Sequence, residues 1–176
     1  MSMWDRCVAV LVCLLAPAAV GGGPAAQDGM TTRGLMREAA GARLEGRLEQ
    51  AASLYSRVID LEPGNRLALY NAAIILEKLG RRDLAVGVWS KALKADAGDL
   101  FAYEHLLRNL HRDDLETLIA QETLRVKADR DSTLKRLHLA LDEMAAGRGS
   151  AAVKPLEEVL LIRPSSNIAY LFLKDA

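Results

Sequence analysis

The sequence is poor in aromatic residues and has no excess of either charge. Aromatic side chains make up 5% of its 176 residues, and β-branched residues are not enriched, so a β-sheet core is disfavoured. Equal numbers of basic and acidic residues, 23 of each, provide no positive field that would attract nucleic acid or an anionic membrane surface. Abundant Ala, Leu, Arg and Glu instead favour helices packed on helices. The length fits one globular unit.

Cysteine occurs only at Cys7 and Cys13, inside an N-terminal segment that differs from the rest of the chain. Residues 7–20 form an uncharged apolar run of 14 residues, preceded by a single Arg and followed by the small residues GGGPAAQDG. This order is typical of a secretory signal peptide. A membrane-spanning helix needs about 20 apolar residues, so cleavage is favoured over permanent anchoring.

We therefore predict that residues 1–26 are a signal peptide and a small-residue linker, cleaved between Ala18 and Ala26. The protein would then be exported, to a periplasm, to the ER lumen or out of the cell. Its mature form would contain no thiol and no disulfide. If the segment were not cleaved, it would tether the chain to a membrane.

A period of 34 residues organises the chain after this segment. The residue pairs that share this spacing are Ala39 and Ala73, Gly46 and Gly80, Ala51 and Ala85, Tyr55 and Trp89, and Val58 and Ala92. The pairs that stand 67 residues apart, two periods less one residue, are Ala73 and Ala140, Gly80 and Gly147, and Ala85 and Ala152. A third, less regular unit must therefore lie between them.

The repeated residues resemble the tetratricopeptide repeat, whose pattern is a small residue in helix A, a glycine turn, Ala-x-x-x-aromatic in helix B and a final proline. The resemblance implies an all-α tetratricopeptide-repeat superhelix, which is an α-solenoid of antiparallel helix pairs. The predicted units are 32–65, 66–99, a degenerate 100–132 and 133–166, followed by a closing helix at 167–176.

Each repeated small residue has a structural reason. Gly46, Gly80 and Gly147 are predicted to end an A helix in the left-handed conformation, which glycine adopts with little strain. The repeated alanines are predicted to lie where two helices approach closely, since a larger side chain would hold the helices apart. Pro63 and Pro164 are predicted to end B helices, because proline cannot continue the hydrogen-bond ladder.

Helix-capping residues agree with these boundaries. Asn65, Asp99 and Ser132 each stand just before a predicted A helix, where their side chains can accept a hydrogen bond from the first turn. The expected N-terminal signals of two B helices are Asp83 and a capping box formed by Asp113 and Glu116.

The third and fourth units depart from the pattern. In the third unit, Asp114 stands at the glycine position, and Leu107 and Ile119 stand at the alanine positions. We therefore expect the third pair of helices to pack at an unusual angle. In the fourth unit, Pro155 falls inside the predicted B helix, where it should kink the helix unless the helix begins near it.

The predicted mature chain lacks the residue sets that enzymes use. It shows no nucleophile with a base, no metal constellation and no phosphate-binding loop. His138 and Asp142, four residues apart, share a helical face, but no third ligand is visible. A solvated or partly buried polar pair is therefore favoured over a metal site. We expect a protein that is not an enzyme and that uses no cofactor or metal.

By resemblance, such arrays bind an extended peptide or a partner helix on the concave face that their A helices line. The groove positions expected to carry binding are Tyr70, Asn71, Ile74, Phe101, Glu104 and Arg108. Further groove positions are Met36, Ala40, Arg43, Leu67, Glu77, His105, Leu134, Leu137 and Leu141, where the leucines fit an inter-repeat core equally well. The resemblance thus implies an apolar groove with scattered charge, suited to an amphipathic helix or a hydrophobic peptide.

Other partners are weighed against this groove. The co-chaperone subfamily that grips a C-terminal carboxylate uses two Lys, two Asn and one Arg, of which only Asn71 matches here. Nucleic acid is not expected as a partner, because the net charge is zero. An alternative function is a structural subunit of a membrane-tethered envelope or luminal assembly. The apolar tail residues 170–173 leave self-association open.

Overall fold

The computed structural model describes residues 31–176, so the predicted signal segment and both cysteines lie outside the described residues. The described residues form nine α-helices and no strand. The helices are α1 (Thr32–Leu44), α2 (Leu48–Leu61), α3 (Arg66–Lys78), α4 (Arg82–Ala95), α5 (Leu100–Asn109), α6 (Arg112–Ala128), α7 (Thr133–Ala145), α8 (Gly149–Ile162) and α9 (Asn167–Asp175). Within this part of the chain, every helix is too short or too polar to cross a membrane.

The helices divide into two compact units. Unit 1, residues 31–97 of the described chain, contains α1 to α4, and unit 2, residues 98–176, contains α5 to α9. The single globular unit that the length suggests is therefore wrong. Repeat proteins bury their cores between neighbouring elements rather than around one centre, which explains how a chain of this length forms two compact units.

Unit 1 is a run of four helices in which each helix packs against the next. The repeated alanines of this unit, all fully buried, are Ala39, Ala51, Ala73 and Ala85. Their burial confirms the prediction that small residues occupy the helix contacts. Tyr55 and Trp89, at the repeated aromatic position, are also buried and supply the large side chains of the core.

Three A helices end in the same glycine turn. The glycines with left-handed backbone are Gly46 (φ 78°), Gly80 (φ 71°) and Gly147 (φ 74°). At the end of α3, Gly80 N–H donates to the Glu77 carbonyl at 2.9 Å, and Arg81 N–H donates to the Leu76 carbonyl at 2.9 Å. This pair of bonds is the Schellman motif, which satisfies the last carbonyls of a helix. The predicted role of the three glycines is confirmed.

The N-caps of three A helices also match the sequence prediction. The Asn65 side chain accepts from Ala68 N–H at 3.0 Å, and the Asp99 side chain accepts from Ala102 N–H at 3.1 Å. Ser132 caps α7 in the same way. These bonds satisfy backbone donors that a helix start leaves without a partner inside the helix.

The predicted caps of two B helices are wrong. Helix α4 begins at Arg82, so Asp83 lies inside its first turn and not before it. Helix α6 begins at Arg112, so Asp113 lies inside the first turn as well and the expected capping box does not form. Acidic residues stabilise both positions, the cap through a hydrogen bond and the first turn through the helix dipole, so residue type alone did not distinguish them.

The third unit differs from the others in how it divides into helices. Helix α5 has 10 residues and α6 has 17, and Asp114 lies inside α6 instead of in a turn. The chain turns earlier, at Leu110 and His111, without a left-handed residue. Helix α5 packs more on α7 than on α6, so the third pair of helices is not a regular antiparallel hairpin.

The end of unit 2 forms its own apolar core between α7, α8 and α9. The buried residues of this core are Leu137, Ala140, Ala152, Leu156, Val159 and Ala169. Helix α8 runs from Gly149 to Ile162 and therefore continues through Pro155 instead of beginning near it. Proline has no N–H, so Pro155 removes one hydrogen bond from this helix.

Candidate partner-binding surfaces on helices α3 and α5

The six predicted site residues lie on two helices, one in each unit. Tyr70, Asn71 and Ile74 are on α3 in unit 1. The residues on α5 in unit 2 are Phe101, Glu104 and Arg108. We call the first set, together with Arg66, Leu67 and Glu77, the α3 surface. We call the second set, together with His105, the α5 surface.

The α3 surface is supported by an aromatic contact. The Tyr70 ring meets the ring of Trp89 edge to face, with centroids 5.4 Å apart and an interplanar angle of 61°. The Arg66 guanidinium lies 5.6 Å from the centroid of the Tyr70 ring. An aromatic ring placed between a second ring and a cation gains from both interactions, which restricts the Tyr70 side chain to one orientation.

A hydrogen bond from α4 fixes an acidic group on the same surface. Trp89 is fully buried, and its Nε1–H donates to Glu77 Oε1 at 2.8 Å. Buried indole nitrogens usually have such a partner, because an unpaired N–H is costly away from water. Trp89 therefore supports Tyr70 through its ring and orients Glu77 through its nitrogen.

The remaining α3 side chains give the surface its apolar character. Ile74 is half-buried, whereas Leu67 is exposed. Asn71 is half-buried, and its Nδ2 donates to the Leu67 carbonyl at 2.8 Å, which uses one of its amide hydrogens inside the helix. The α3 surface thus combines apolar area with one cation and one anion at its edges.

The α5 surface is more exposed and carries an ion pair. Phe101 is 47% exposed, and its ring lies 4.5 Å from the His105 ring. Arg108 and Glu104, four residues apart on the helix, form a salt bridge. Both of these side chains are open to solvent, and such pairs contribute only about 0.3–0.5 kcal/mol. An incoming carboxylate can therefore compete with Glu104 for Arg108 at little cost.

Two of the leucines that fitted either the groove or the core belong to the core. Leu137 is 8% exposed and Leu141 is 5% exposed. Leu137 contributes to the apolar core that α7 shares with α8 and α9. A side chain buried between helices cannot contact a partner, so the surface of α7 contributes no apolar groove at these two positions.

Unit 2 also contains a buried polar cluster, which we define as Tyr103, Glu122, His138 and Asp142. Tyr103 Oη–H donates to Asp142 Oδ1 at 2.8 Å. The rings of Tyr103 and His138 are stacked, with centroids 4.0 Å apart and an interplanar angle of 12°. Glu122 is 2% exposed and Asp142 is 0% exposed, so both carboxyl groups are inside the protein.

Burial shifts the titration of the polar cluster. Removal from water raises the pKa of Asp142 to about 7, and the negative charge of Glu122 adds to this shift, while the hydrogen bond from Tyr103 opposes it. Burial also lowers the pKa of His138 to about 4, with a further contribution from the positive Arg125. Near neutral pH, His138 is therefore uncharged and Asp142 is close to its midpoint.

The sequence gave a partial indication of this cluster. His138 and Asp142 were expected to form a polar pair on one helix, and the structure confirms a partly or fully buried position for both. The contributions of Tyr103 and Glu122 had no local signal, because they come from other helices. Within residues 31–176, no group of His, Cys, Asp or Glu side chains is arranged to hold a metal ion.

Comparison with known proteins identifies the kind of repeat. Residues 42–110 match the family model of the tetratricopeptide repeat. A comparison with curated proteins gives no match. The solved structure of MamA protein is 20% identical, with a TM-score of 0.51, and the alignment covers 82% of this chain and 80% of that chain. A tetratricopeptide repeat protein from Parabacteroides merdae is 17% identical, with a TM-score of 0.52, and the alignment covers 85% of this chain and 59% of that chain.

These similarities concern the fold. They confirm the predicted fold class, which is all-α with helix pairs of the tetratricopeptide kind. The matched segment 42–110 includes both the α3 surface and the α5 surface. Both surfaces therefore lie on A helices of the repeat pattern.

Proposed function

We propose that this chain is a protein-interaction scaffold whose A helices α3 and α5 bind an extended peptide or an amphipathic helix of another protein. Tetratricopeptide repeats commonly serve as scaffolds of this kind, and residues 42–110 match that family. The observation that carries the proposal is the α3 surface. Its apolar side chains are accessible, while Trp89 supports them from inside the unit.

The construction of the α3 surface favours binding over simple solvent exposure. The Tyr70 side chain is held by Trp89 and Arg66, so little conformational freedom is lost when a partner covers it. Tyrosine and isoleucine side chains set in a fixed surface can act as anchors for an apolar residue of a partner. The charges of Arg66 and Glu77 would then fix the direction in which the partner lies.

The α5 surface adds a second contact of the same chemical type. Phe101 offers an exposed apolar ring, and Arg108 can exchange its exposed Glu104 partner for a carboxylate on the bound segment. We infer that the partner segment carries apolar residues with at least one acidic residue. The carboxylate-gripping mode is disfavoured, since Phe101 and His105 stand where that subfamily has basic or amide groups.

A crosslinking experiment tests the proposed surfaces. Ile74 or Phe101 is replaced by a photo-crosslinking phenylalanine analogue in the full chain, expressed in its native host, and the crosslinked peptides are sequenced. We expect both positions to capture the same partner protein. The same analogue at Glu157, an exposed residue of α8, is the matched control and should capture none. Capture of the partner at Glu157 but not at Ile74 would show that the binding surface lies elsewhere.

Export is a second part of the proposal and rests on the N-terminal sequence alone. The apolar run of residues 7–20 supports a cleaved signal peptide, so the scaffold would act outside the cytoplasm. We expect the intact mass of the protein recovered from its host to begin between Ala18 and Ala26. A full-length species in the membrane fraction would contradict cleavage and favour the tethered structural subunit.

A further inference from the structure

The polar cluster of unit 2 contains more acceptors than donors. Glu122 Oε2, His138 Nε2 and Asp142 Oδ2 are buried and make no hydrogen bond to any of the described residues. Buried polar atoms in folded proteins nearly always have a partner, and an unpaired one is destabilising. A proton on Asp142 Oδ2 would convert one of these acceptors into a donor and would remove one of two buried negative charges.

The charged groups around Asp142 also favour the protonated form. The titratable groups that face it or its neighbours are Tyr103 from α5, Glu122 and Arg125 from α6, His138 and Glu143 from α7, and Arg148 at the start of α8. The negative charges of Glu122 and Glu143 oppose ionisation of Asp142. Arg125 favours ionisation, but its guanidinium forms a salt bridge with Glu122. Arg148 is bonded to Glu143, and Glu158 of α8 is bonded to Arg136.

The repeat pattern shows that the fold does not need a carboxyl group at this position. Asp142 stands 67 residues after Ile75, the same offset that relates the repeated alanines and glycines. Ile75 is 1% exposed and contributes only apolar packing to unit 1. A buried carboxyl group at the equivalent position of unit 2 lowers stability unless it is neutral or fully paired. Its presence is therefore better explained by a protonation equilibrium than by packing.

We propose that the polar cluster is a proton-binding switch that keeps α5 and α6 packed on α7 while Asp142 is protonated and loosens them when this proton is released to water. The released state holds two carboxylates inside the unit, and water must enter to solvate them. Because Tyr103 belongs to α5, the change reaches the helix that carries Phe101 and Arg108. The effect on stability stands alone, whereas an effect on partner binding rests on the proposed function.

The sign of the pH dependence follows from the direction of each shift. Asp142 has a folded pKa of about 7, above its ordinary value of 3.8, so its contribution to stability is present in acid and lost as the pH rises through 7. His138 has a folded pKa of about 4, below its ordinary 6.5, so it destabilises the fold as the pH falls below 6.5. The two effects oppose each other between pH 4 and 6.5, and only that of Asp142 continues above this range.

Thermal unfolding of the full chain between pH 6.5 and 8 tests the switch, with hydrogen exchange used to assign the transition of unit 2. We expect the wild-type melting temperature of this transition to fall by at least about 5 °C over the range. Asp142→Asn mimics the protonated carboxyl group in shape and charge, so its melting temperature should stay constant. Asp114→Asn, which removes an exposed carboxylate from α6, is the matched control and should follow the wild type.

A second variant and a direct measurement cover the case in which Asp142→Asn does not fold. Glu122→Gln removes the repelling charge, so the fall in melting temperature should move to lower pH. The infrared carbonyl band of a protonated carboxyl group should be present at pH 6 in the wild type and should vanish at pH 8.5. Parallel pH profiles for wild type, Asp142→Asn and Glu122→Gln, or no such band at pH 6, would overturn the proposal.

Discussion

Replacing Trp89 by alanine should lower the free energy of unfolding of unit 1 by about 3–5 kcal/mol, the usual loss for truncation of a buried aromatic side chain. Trp89 is fully buried in α4, its ring meets that of Tyr70, and its Nε1–H donates to Glu77. Alanine removes these contacts and leaves a cavity beside α3. Urea unfolding measures the loss, and hydrogen exchange assigns it to unit 1.

Two further variants separate the causes of this loss. Trp89→Phe keeps much of the ring volume but removes the indole N–H, so it should cost less than Trp89→Ala and more than a surface change. Leu61→Ala, at a side chain that is 61% exposed in the same unit, should change stability by less than about 0.5 kcal/mol. If Trp89→Ala were no more destabilising than Leu61→Ala, the packing of α4 on α3 described here would be incorrect.

The packing of unit 1 was predictable because each repeated residue meets a constraint that few other residues can meet. Gly80 recurs because α3 ends in a left-handed residue, and Ala85 recurs because its position is completely buried. Both constraints are local to one helix pair, so every regular pair imposes them again at the same spacing. A period of 34 therefore contains structural information that a single helix pattern does not.

The third unit was less predictable because its turn carries no comparable signal. Helix α5 ends at Asn109, whose side-chain amide donates to the His105 carbonyl at 2.7 Å, and the chain leaves the helix through extended Leu110. No glycine is required for this turn. The expectation that Asp114 marks it came from counting residues in the regular units, and counting fails where the two helices have other lengths.

The candidate site was predictable by position but not by environment. The repeat register placed Tyr70, Ile74 and Phe101 on A helices, and all three retain accessible surface. Burial depends on neighbouring helices, which is why Leu137 could not be assigned to surface or core from the sequence. The same reason hid the role of Asp142, since its partners Tyr103 and Glu122 come from α5 and α6.

Removing the apolar anchors should weaken partner binding without unfolding the chain. Ile74→Ala on α3 and Phe101→Ala on α5 should each reduce affinity by about fivefold or more, which corresponds to at least ~1 kcal/mol per anchor. Adding Tyr70→Ala should bring the combined loss to at least about 100-fold. Isothermal titration with the partner segment identified by crosslinking measures these affinities, and circular dichroism checks that each variant stays helical.

The control for this experiment has to avoid residues that stabilise the fold. Glu158 is unsuitable, because it accepts a hydrogen bond from the buried Arg136 at 2.8 Å. Glu157→Ala combined with Leu161→Ala removes one charge and one highly exposed apolar side chain from α8, so this pair should leave affinity unchanged. A loss caused by the α8 pair, with Ile74→Ala and Phe101→Ala at wild-type affinity, would reject both surfaces. A loss with Ile74→Ala alone would restrict binding to unit 1, because the α5 surface would then contribute no anchor.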